Sequence, residues 1–346
     1  GLIWIGYLYF SKGRDPITLS VAPRYEPPDD FTPAEAGTLV DEKVDMRDMT
    51  STIVDLAVKG YIKIVELEKK KLIFLSTKDY ILFKLREADA NLQKHEKLMF
   101  DGLFTRGSIE ADDLTLATTK CPECSGKEAI AISSLKEKFY VELPSIKTAI
   151  YVNLVNRKMF PSNPETVRNK YLGWGLAVAV LSIVAGFILM NILIIPVGIF
   201  LGVVLIIVSF WMPRKTRDGV TKAVHIRGFE EFIRRVEKDR IERMVKEDPT
   251  IFERLLPFAM ALGCADQWAS KFEGLFKEPP SWFVGDAGAN FAPYYFVSSL
   301  GNAISTAGSA MTSRPRSSGA GGGSSSFSGG GGFSGGGFGG GGGGAW

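Results

Sequence analysis

From Tyr171 to Met212 the chain carries no charged residue, a run that reads YLGWGLAVAVLSIVAGFILMNILIIPVGIFLGVVLIIVSFWM. At about 1.5 Å per helical residue, roughly forty residues reach about 60 Å. The hydrocarbon core of a bilayer is only about 30 Å thick, so two spans back to back fit where one straight span does not. The turn between them is expected near Met190 and Asn191, where a polar amide interrupts the run and Pro196 follows. Trp174 and Trp211 then fall at the same interface, where indole rings are favoured. Arg168 and Lys170 precede the run, and Arg214, Lys215, Arg217 and Lys222 follow it. Basic flanks on both sides put both ends of the hairpin in the cytoplasm and its turn outside. Gly198 and Gly202 form a Gly-xxx-Gly step that would let another helix approach closely; a homo-oligomer could use it, although such steps are frequent in membrane helices by chance.

The remaining composition bounds the rest. With 346 residues there is room for two or three units, and a net charge of +3 makes no case for a nucleic-acid protein. Three cysteines do not make a disulfide framework. The opening GLIWIGYLYF is apolar from its first residue, and no basic start or small-residue cleavage site marks a signal peptide. Residues 1–11 read as the end of a transmembrane helix emerging at Lys12, which makes the chain a fragment whose upstream part is missing. Residues 12–30, with Pro16, Pro23, Pro27 and Pro28, form an extended linker.

Residues 31–88 have the grammar of a winged-helix-like module. Thr32 caps a short helix with Pro33 first and Glu35 three residues on. Asp45 caps a second helix whose Met49, Ile53, Leu56 and Ala57 recur at helical spacing, and Gly60 stops it. Strands follow at Tyr61–Val65, Leu72–Leu75 and Tyr80–Phe83. As a recognition helix, 46–59 offers Arg47 and Lys59 at its ends, but Asp48 and Asp55 lie between and no Asn or Gln reads bases. Lys69, Lys70 and Lys71 would form a basic wing tip. Protein interaction is the leading role for this unit, and nucleic acid is not an expected partner.

Residues 89–170 form a second helical, winged-helix-like module. Ile109–Leu114 resembles a short strand and turn, Ser133–Val141 a helix that Pro144 breaks, and Ser145 the cap of the next helix. His95, set among charges in QKHEK, is expected at the surface. Cys121-Pro122-Glu123-Cys124 has the spacing of half a zinc site or a redox dithiol, but zinc requires four ligands and only Cys264, His95 and His225 remain. The expectation is two thiols in a loop and no metal. Residues 213–282 read as a helical cytoplasmic module in which Arg234, Arg235, Lys238 and Arg240 alternate with acids, a salt-bridged face rather than a lipid-binding one. Residues 283–346 read as a low-complexity Gly/Ser-rich tail, disordered and unable to bury a core.

Several stretches together resemble a known family: PAEAGTLVDEKVDMRDMTSTIVDLAVKGYIKI, MFPSNPETVRNKY, GFEEFIRRVEKDRIE, LLPFAMALGCADQWASKFEGL and the ending FSGGGFGGGGGGAW. They resemble the YciQ-like bacterial predicted membrane proteins, a domain of unknown function. The resemblance implies an extracytoplasmic β-rich domain upstream, joined by a membrane helix to this cytoplasmic part, and it brings no catalytic residue. The expected fold is therefore a mainly α membrane protein with a transmembrane helical hairpin, cytoplasmic α+β winged-helix-like and helical modules, and a disordered tail. Its expected place is the inner membrane, multi-pass, in contact with the bilayer and with other membrane or cytoplasmic proteins. The expected role is a non-enzymatic scaffold or signalling component, and the alternative is a membrane-tethered nucleic-acid-binding regulator. No His-Asp-Ser set, carboxylate pair, phosphate loop, metal site or cofactor site stands out, and the membrane run holds no ionisable group.

Overall fold

Local signals set the first elements as expected. In the computed structural model, which describes residues 2–13, 15–16, 24–28, 31–72, 75–276, 278–285 and 292–314, helix α1 (Leu2–Leu8) runs into a π-helical turn, Tyr9–Gly13. Thr32 then caps α2 (Pro33–Asp41) in a full capping box with Glu35, and Asp45 caps α3 (Met46–Val58) in another with Asp48. Each box satisfies two backbone N–H groups that the first helical turn leaves free. Gly60, at φ 76°, turns the chain out of α3 into β1 (Ile62–Leu72), which pairs antiparallel with β2 (Leu75–Lys84). Next come α4 (Lys94–Arg106), α5 (Ala111–Lys120), the short β3 (Ala129–Ala131) and α6 (Leu143–Asn156). The hairpin is α7 (Pro164–Ile188) and α8 (Ile194–Ser209). After it lie α9 (Arg217–Arg235), α10 (Lys238–Glu247), α11 (Ile251–Ala261), α12 (Ala265–Ser270), β4 (Phe283–Val284) and α13 (Pro293–Thr312).

The sheet is four-stranded in the order β3-β2-β1-β4, with β4 parallel to β1. Its faces divide with the two-residue period of a strand. Ile62, Ile64, Tyr80 and Leu82 enter the main core, whereas Val65, Leu67, Ile81 and Phe83 meet Ala117, Cys121 and Cys124 in a smaller cluster beneath α5.

The main core corrects the expected division of the chain. It is continuous from Phe31 to Met311, so the segments 31–88, 89–170 and 213–282 share one interior. Part of the expected tail belongs to it as well: α13 buries Phe296, Val297, Leu300 and Met311, and Tyr80 Oη donates to the Ser299 carbonyl at 3.2 Å. The Gly- and Ser-rich sequence of α13 hides an apolar stripe that only its neighbours reveal. Residues 315–346 lie outside the described residues. Two smaller corrections follow from proline and acid placement. Pro144 opens α6 instead of breaking a helix, because a proline costs nothing in the first turn, where its N–H would be free anyway. Ser133–Val141 forms short 3-10 turns, and the strand expected at 109–114 is the start of α5, whose first turn carries Asp112 and Asp113.

The hairpin is built with small residues inside and large apolar ones outside. Gly175, Ser182 and Gly186 of α7 and Gly198, Gly202 and Ser209 of α8 are buried at the seam. Leu176, Val180, Leu181, Val184 and Phe187 of α7, with Val197, Phe200, Val203 and Ile207 of α8, are exposed. A water-soluble helix pair has the opposite distribution, and this one suits hydrocarbon. The hydroxyls of Ser182 and Ser209 do not offend that solvent, since each donates to a carbonyl of its own helix. Only 11% of the most apolar window of α7 is buried, which sets it apart from the core helix of a soluble protein.

The Gly-xxx-Gly step at Gly198 and Gly202 is used within the chain. A β-carbon at Gly198 would land on Ser182, and one at Gly202 on the Gly175 carbonyl and Ala179. Both glycines are occupied within the chain by α7, and neither is free to meet a second copy. Gly198→Val is therefore expected to lower hairpin stability by about 1–3 kcal/mol, the usual cost of overpacking. A β-carbon at Gly173 meets nothing within 4 Å, so Gly173→Ala should be neutral. Thermal melting of both variants in detergent checks the contrast, and equal melting temperatures would refute the close approach of the two helices.

Candidate functional site

The base of the hairpin is where a charge has been taken out of water. Lys215, three residues beyond the apolar run, has a side chain only 6% exposed. Its ammonium pairs with Glu42 and lies 3.8 Å from Asp15, and its backbone N–H donates to Asp15 at 2.7 Å. Glu42 is the left-handed C-cap of α2, held at φ 61° with its N–H on the Thr38 carbonyl. The Glu42 carbonyl in turn accepts from Arg168 of α7 at 3.3 Å. Both legs of the hairpin thus grip one point, the end of α2. Thr216 completes the joint: its N–H bonds the Met159 carbonyl at 3.0 Å, and its hydroxyl caps α9 at Gly219. Movement of either leg relative to the core would expose or unpair a buried charge.

A second polar cluster is built around carboxylates buried in the core. Glu35 accepts from the Thr32 N–H at 2.9 Å, from Asn153 and, at 3.5 Å, from Arg157; Asn153 also reaches Gln93. Burial raises the Glu35 pKa despite these donors. Nearby, Lys59 bridges Asp55 at 2.7 Å and Glu96 at 2.6 Å. Burial pushes Asp55 up to about 7 against the pull of Lys59, and the Glu96 charge adds to the rise. Burial opposes the Glu96 charge too, but Lys59 and a hydrogen bond from Asp55 hold its pKa down.

His95 corrects the surface expectation. It is 1% exposed, with Nε2 3.2 Å from the Thr32 hydroxyl, and burial lowers its pKa to about 4. Perturbed groups of this kind often mark catalytic centres. Here Glu35, His95 and Glu96 are closed off from solvent, and their bonds join α2, α3, α4 and α6. A cleft of about 210 Å³ does open elsewhere, between Gly37, Asp41, Arg47, Glu230 and Arg234, but its charges are already paired within it.

The remaining sequence candidates divide as follows. The presumptive recognition helix is packed away: every residue of α3 from Asp48 to Ala57 is buried. Its basic ends are neutralised as well, Arg47 by Asp41 and Asp45 and Lys59 by Asp55 and Glu96. The side chains of Lys69, Lys70 and Lys71 lie outside the described residues. Cys121 and Cys124 are joined as a disulfide buried in the smaller cluster, where two loop thiols were expected. Cys264 is buried and its pKa pushed up to about 12, which leaves a poor nucleophile. Among the described residues no three His, Cys, Asp or Glu side chains form a group able to hold a metal ion. Arg234 and Arg235 pair with Glu230 and Glu231 at 2.9 and 2.6 Å, as the alternating charges of that helix suggest.

Sequence reasoning missed Lys215, Glu42 and Asp15 as a unit. Lys215 reads only as one more basic flank residue, and its partner lies 173 positions away.

Two outcomes follow from these charges. Lys215→Met strands the Glu42 carboxylate, which keeps some contact with water, so the loss should fall somewhat below the roughly 3–5 kcal/mol of a fully buried broken pair. The double variant with Glu42→Met should recover part of it, and a cycle of melting temperatures that shows strict additivity would dissolve the proposed joint. For His95, the folded pKa lies below the ordinary 6.5, so the unfolded chain takes up a proton that the fold refuses. Its contribution is complete above pH 6.5 and is lost as pH falls through about 4, with about 2 kcal/mol gone by pH 5. His95→Gln should flatten that part of the pH–stability curve. Asp55, with its raised pKa, has the opposite sign over the window from 3.8 to about 7, so the readout is the difference between the two proteins' curves.

Among known proteins, no curated protein and no solved structure is matched by this chain. A family model does match, over residues 22–272, and it is described as the C-terminal domain of a predicted membrane protein, DUF2207. The match takes in α2 through α12, the hairpin and the Lys215–Glu42 joint included, and the chain belongs to that family of predicted membrane proteins of unknown function.

Proposed function

We propose that the protein is a non-enzymatic scaffold or signalling component of the cell membrane, crossing it more than once and holding its helical core on the cytoplasmic side. The observation that carries this reading is the joint at Lys215, which ties both legs of the hairpin to the end of α2. A tether needs no such grip. A part that passes displacement or tension between bilayer and core does, because the buried ion pair makes intermediate positions costly.

The multi-pass reading is supported by matched lengths. α8 has 16 residues, about 24 Å, and α7 beyond Tyr171 is of similar reach. Each is somewhat short of an average bilayer core, a mismatch that local thinning accommodates. Trp174 and Trp211, 58% and 60% exposed, stand at the core-proximal end of the pair and suit one interface. With α3 buried, the helix–helix–hairpin order of α2, α3, β1 and β2 is better suited to protein contacts than to a DNA groove.

One observation favours the opposite orientation. The Cys121–Cys124 disulfide would be at home in an oxidising compartment, since such bonds are rare in the cytosol. The basic residues on both flanks argue against it. Single cysteines at exposed Asn191 and Ser270, in a version lacking the native three, separate the two orientations in intact cells. A membrane-impermeant maleimide should label Asn191→Cys and spare Ser270→Cys. The reverse pattern would place the core outside. Labelling of both sites, or of neither, would mean the hairpin does not traverse the bilayer, and the coupling role would fall.

A further inference from the structure

At the hairpin base, cations from three separate segments come to one level without carboxylates to neutralise them. Lys170 immediately precedes the apolar run on α7, and Arg214 follows it two residues beyond Met212. The seam contacts put Gly175 beside Ile206 and Ser182 beside Gly198, so antiparallel pairing sets Lys170 level with Trp211, and Arg214 within a turn of it. The third cation comes from the core: Lys43, in the turn after α2, holds its ammonium 5.5 Å over the ring of Phe210. All three side chains are exposed, and none has a carboxylate within ion-pair distance among the described residues. Arg214 makes one weak contact, to the Ser11 carbonyl at 3.5 Å.

The nearby acids do not balance this charge. Glu42 and Asp15 are committed to the buried Lys215. Glu165 and Asp218 lie in the first turns of α7 and α9, farther from the apolar segment than Lys170 and Arg214, where helix N-termini already stabilise them. The result is a positive collar at the depth where aromatic side chains mark the edge of the hydrocarbon. The α9–α10 cluster differs, since Arg234 and Arg235 have acids of their own and Arg240 stacks on Tyr25 at 3.9 Å.

We propose that Lys43, Lys170 and Arg214 form a binding collar for the phosphate headgroups of anionic phospholipids. The proposal rests on the membrane placement above, though not on which side the core occupies. The charge is complementary, the depth is that of the headgroup layer, and none of the three cations pairs with a carboxylate among the described residues. Lys43 matters most for coupling, because it lets a headgroup touch the core at the turn beside Glu42.

The full chain in detergent, titrated with phosphatidylglycerol or phosphatidylcholine and read by native mass spectrometry, tests the collar. The intact protein should bind phosphatidylglycerol in preference. Each Lys or Arg near an anionic headgroup contributes about fivefold, so Lys43→Gln, Lys170→Gln and Arg214→Gln together should reduce that preference on the order of a hundredfold. Removing the same charge from α10, as Lys238→Gln, Arg243→Gln and Lys246→Gln, should leave it in place. So should the charge-conserving set Lys43→Arg, Lys170→Arg and Arg214→Lys. Equal binding of the two lipids by the intact chain overturns the proposal, as does an equal loss in the α10 variant. If the collar variant keeps its lipid preference but loses an acidic protein that co-purifies with the intact chain, the surface docks protein and the lipid assignment fails. A chain that labels as non-traversing in the cysteine test fails the membrane reading itself. One that traverses but binds both lipids alike fails only here.

Discussion

A lysine ammonium with almost no access to water must be met by negative charge, and at Lys215 that requirement shapes the whole joint between hairpin and core. The pairing with Glu42 fixes where α8 exits, and Asp15 adds the chain that follows α1. Arg168 then brings α7 to the carbonyl of the same Glu42. Three passages of chain are thereby brought to one helix end. Removing a single partner would leave charge buried without compensation, which is far less favourable than never having buried the pair. The joint resists partial opening for that reason, which is the property the proposed coupling role would draw on.

Two solvents set opposite rules in one molecule. In the core, aromatic side chains such as Trp268, Phe252 and Phe272 turn inward, and buried charges such as Glu35 and Glu96 are met by hydrogen bonds or opposite charge. Across the hairpin, Gly198 and Gly202 turn inward and Phe187 and Phe200 outward. The boundary falls at Trp211 to Lys215, where the chain passes from a lipid-facing aromatic to a buried cation within a few residues. That short stretch answers to both solvents.

Much of the local structure could be read from the sequence because its causes are local. Thr32 with Glu35 and Asp45 with Asp48 close their capping boxes within four residues, and Gly60 ends α3 by adopting a conformation that costs other residues strain. The membrane run announces itself by composition. What failed to show in the sequence depends on partners far along the chain. His95 looks solvated among its charged neighbours, yet it is buried against the Thr32 hydroxyl, 63 positions away. α13 looks like tail because its glycines and serines dilute a stripe that the sheet completes. Gly198 and Gly202 announce a close helix contact correctly, but their spacing does not say whose helix it is. The winged-helix grammar likewise describes an order of elements, and burial of α3 is the tertiary fact that decides what such an order can touch.

The continuity of the core from Phe31 to Met311 places the hairpin in the middle of a split domain. The ribosome delivers α2 through α6 first, then a segment bound for lipid, and only afterwards α9 through α13. The earlier half must therefore wait, with the sheet face at Tyr80 uncovered, until the later half arrives to meet it. Non-local contacts of this reach form slowly and leave apolar surface open meanwhile. Under the multi-pass reading proposed above, insertion of the hairpin would hold the two halves at one spot on the membrane during that wait, turning a search through solution into a search over a small patch of bilayer. On that reading the bilayer would be an assembly template for the core as well as its anchor.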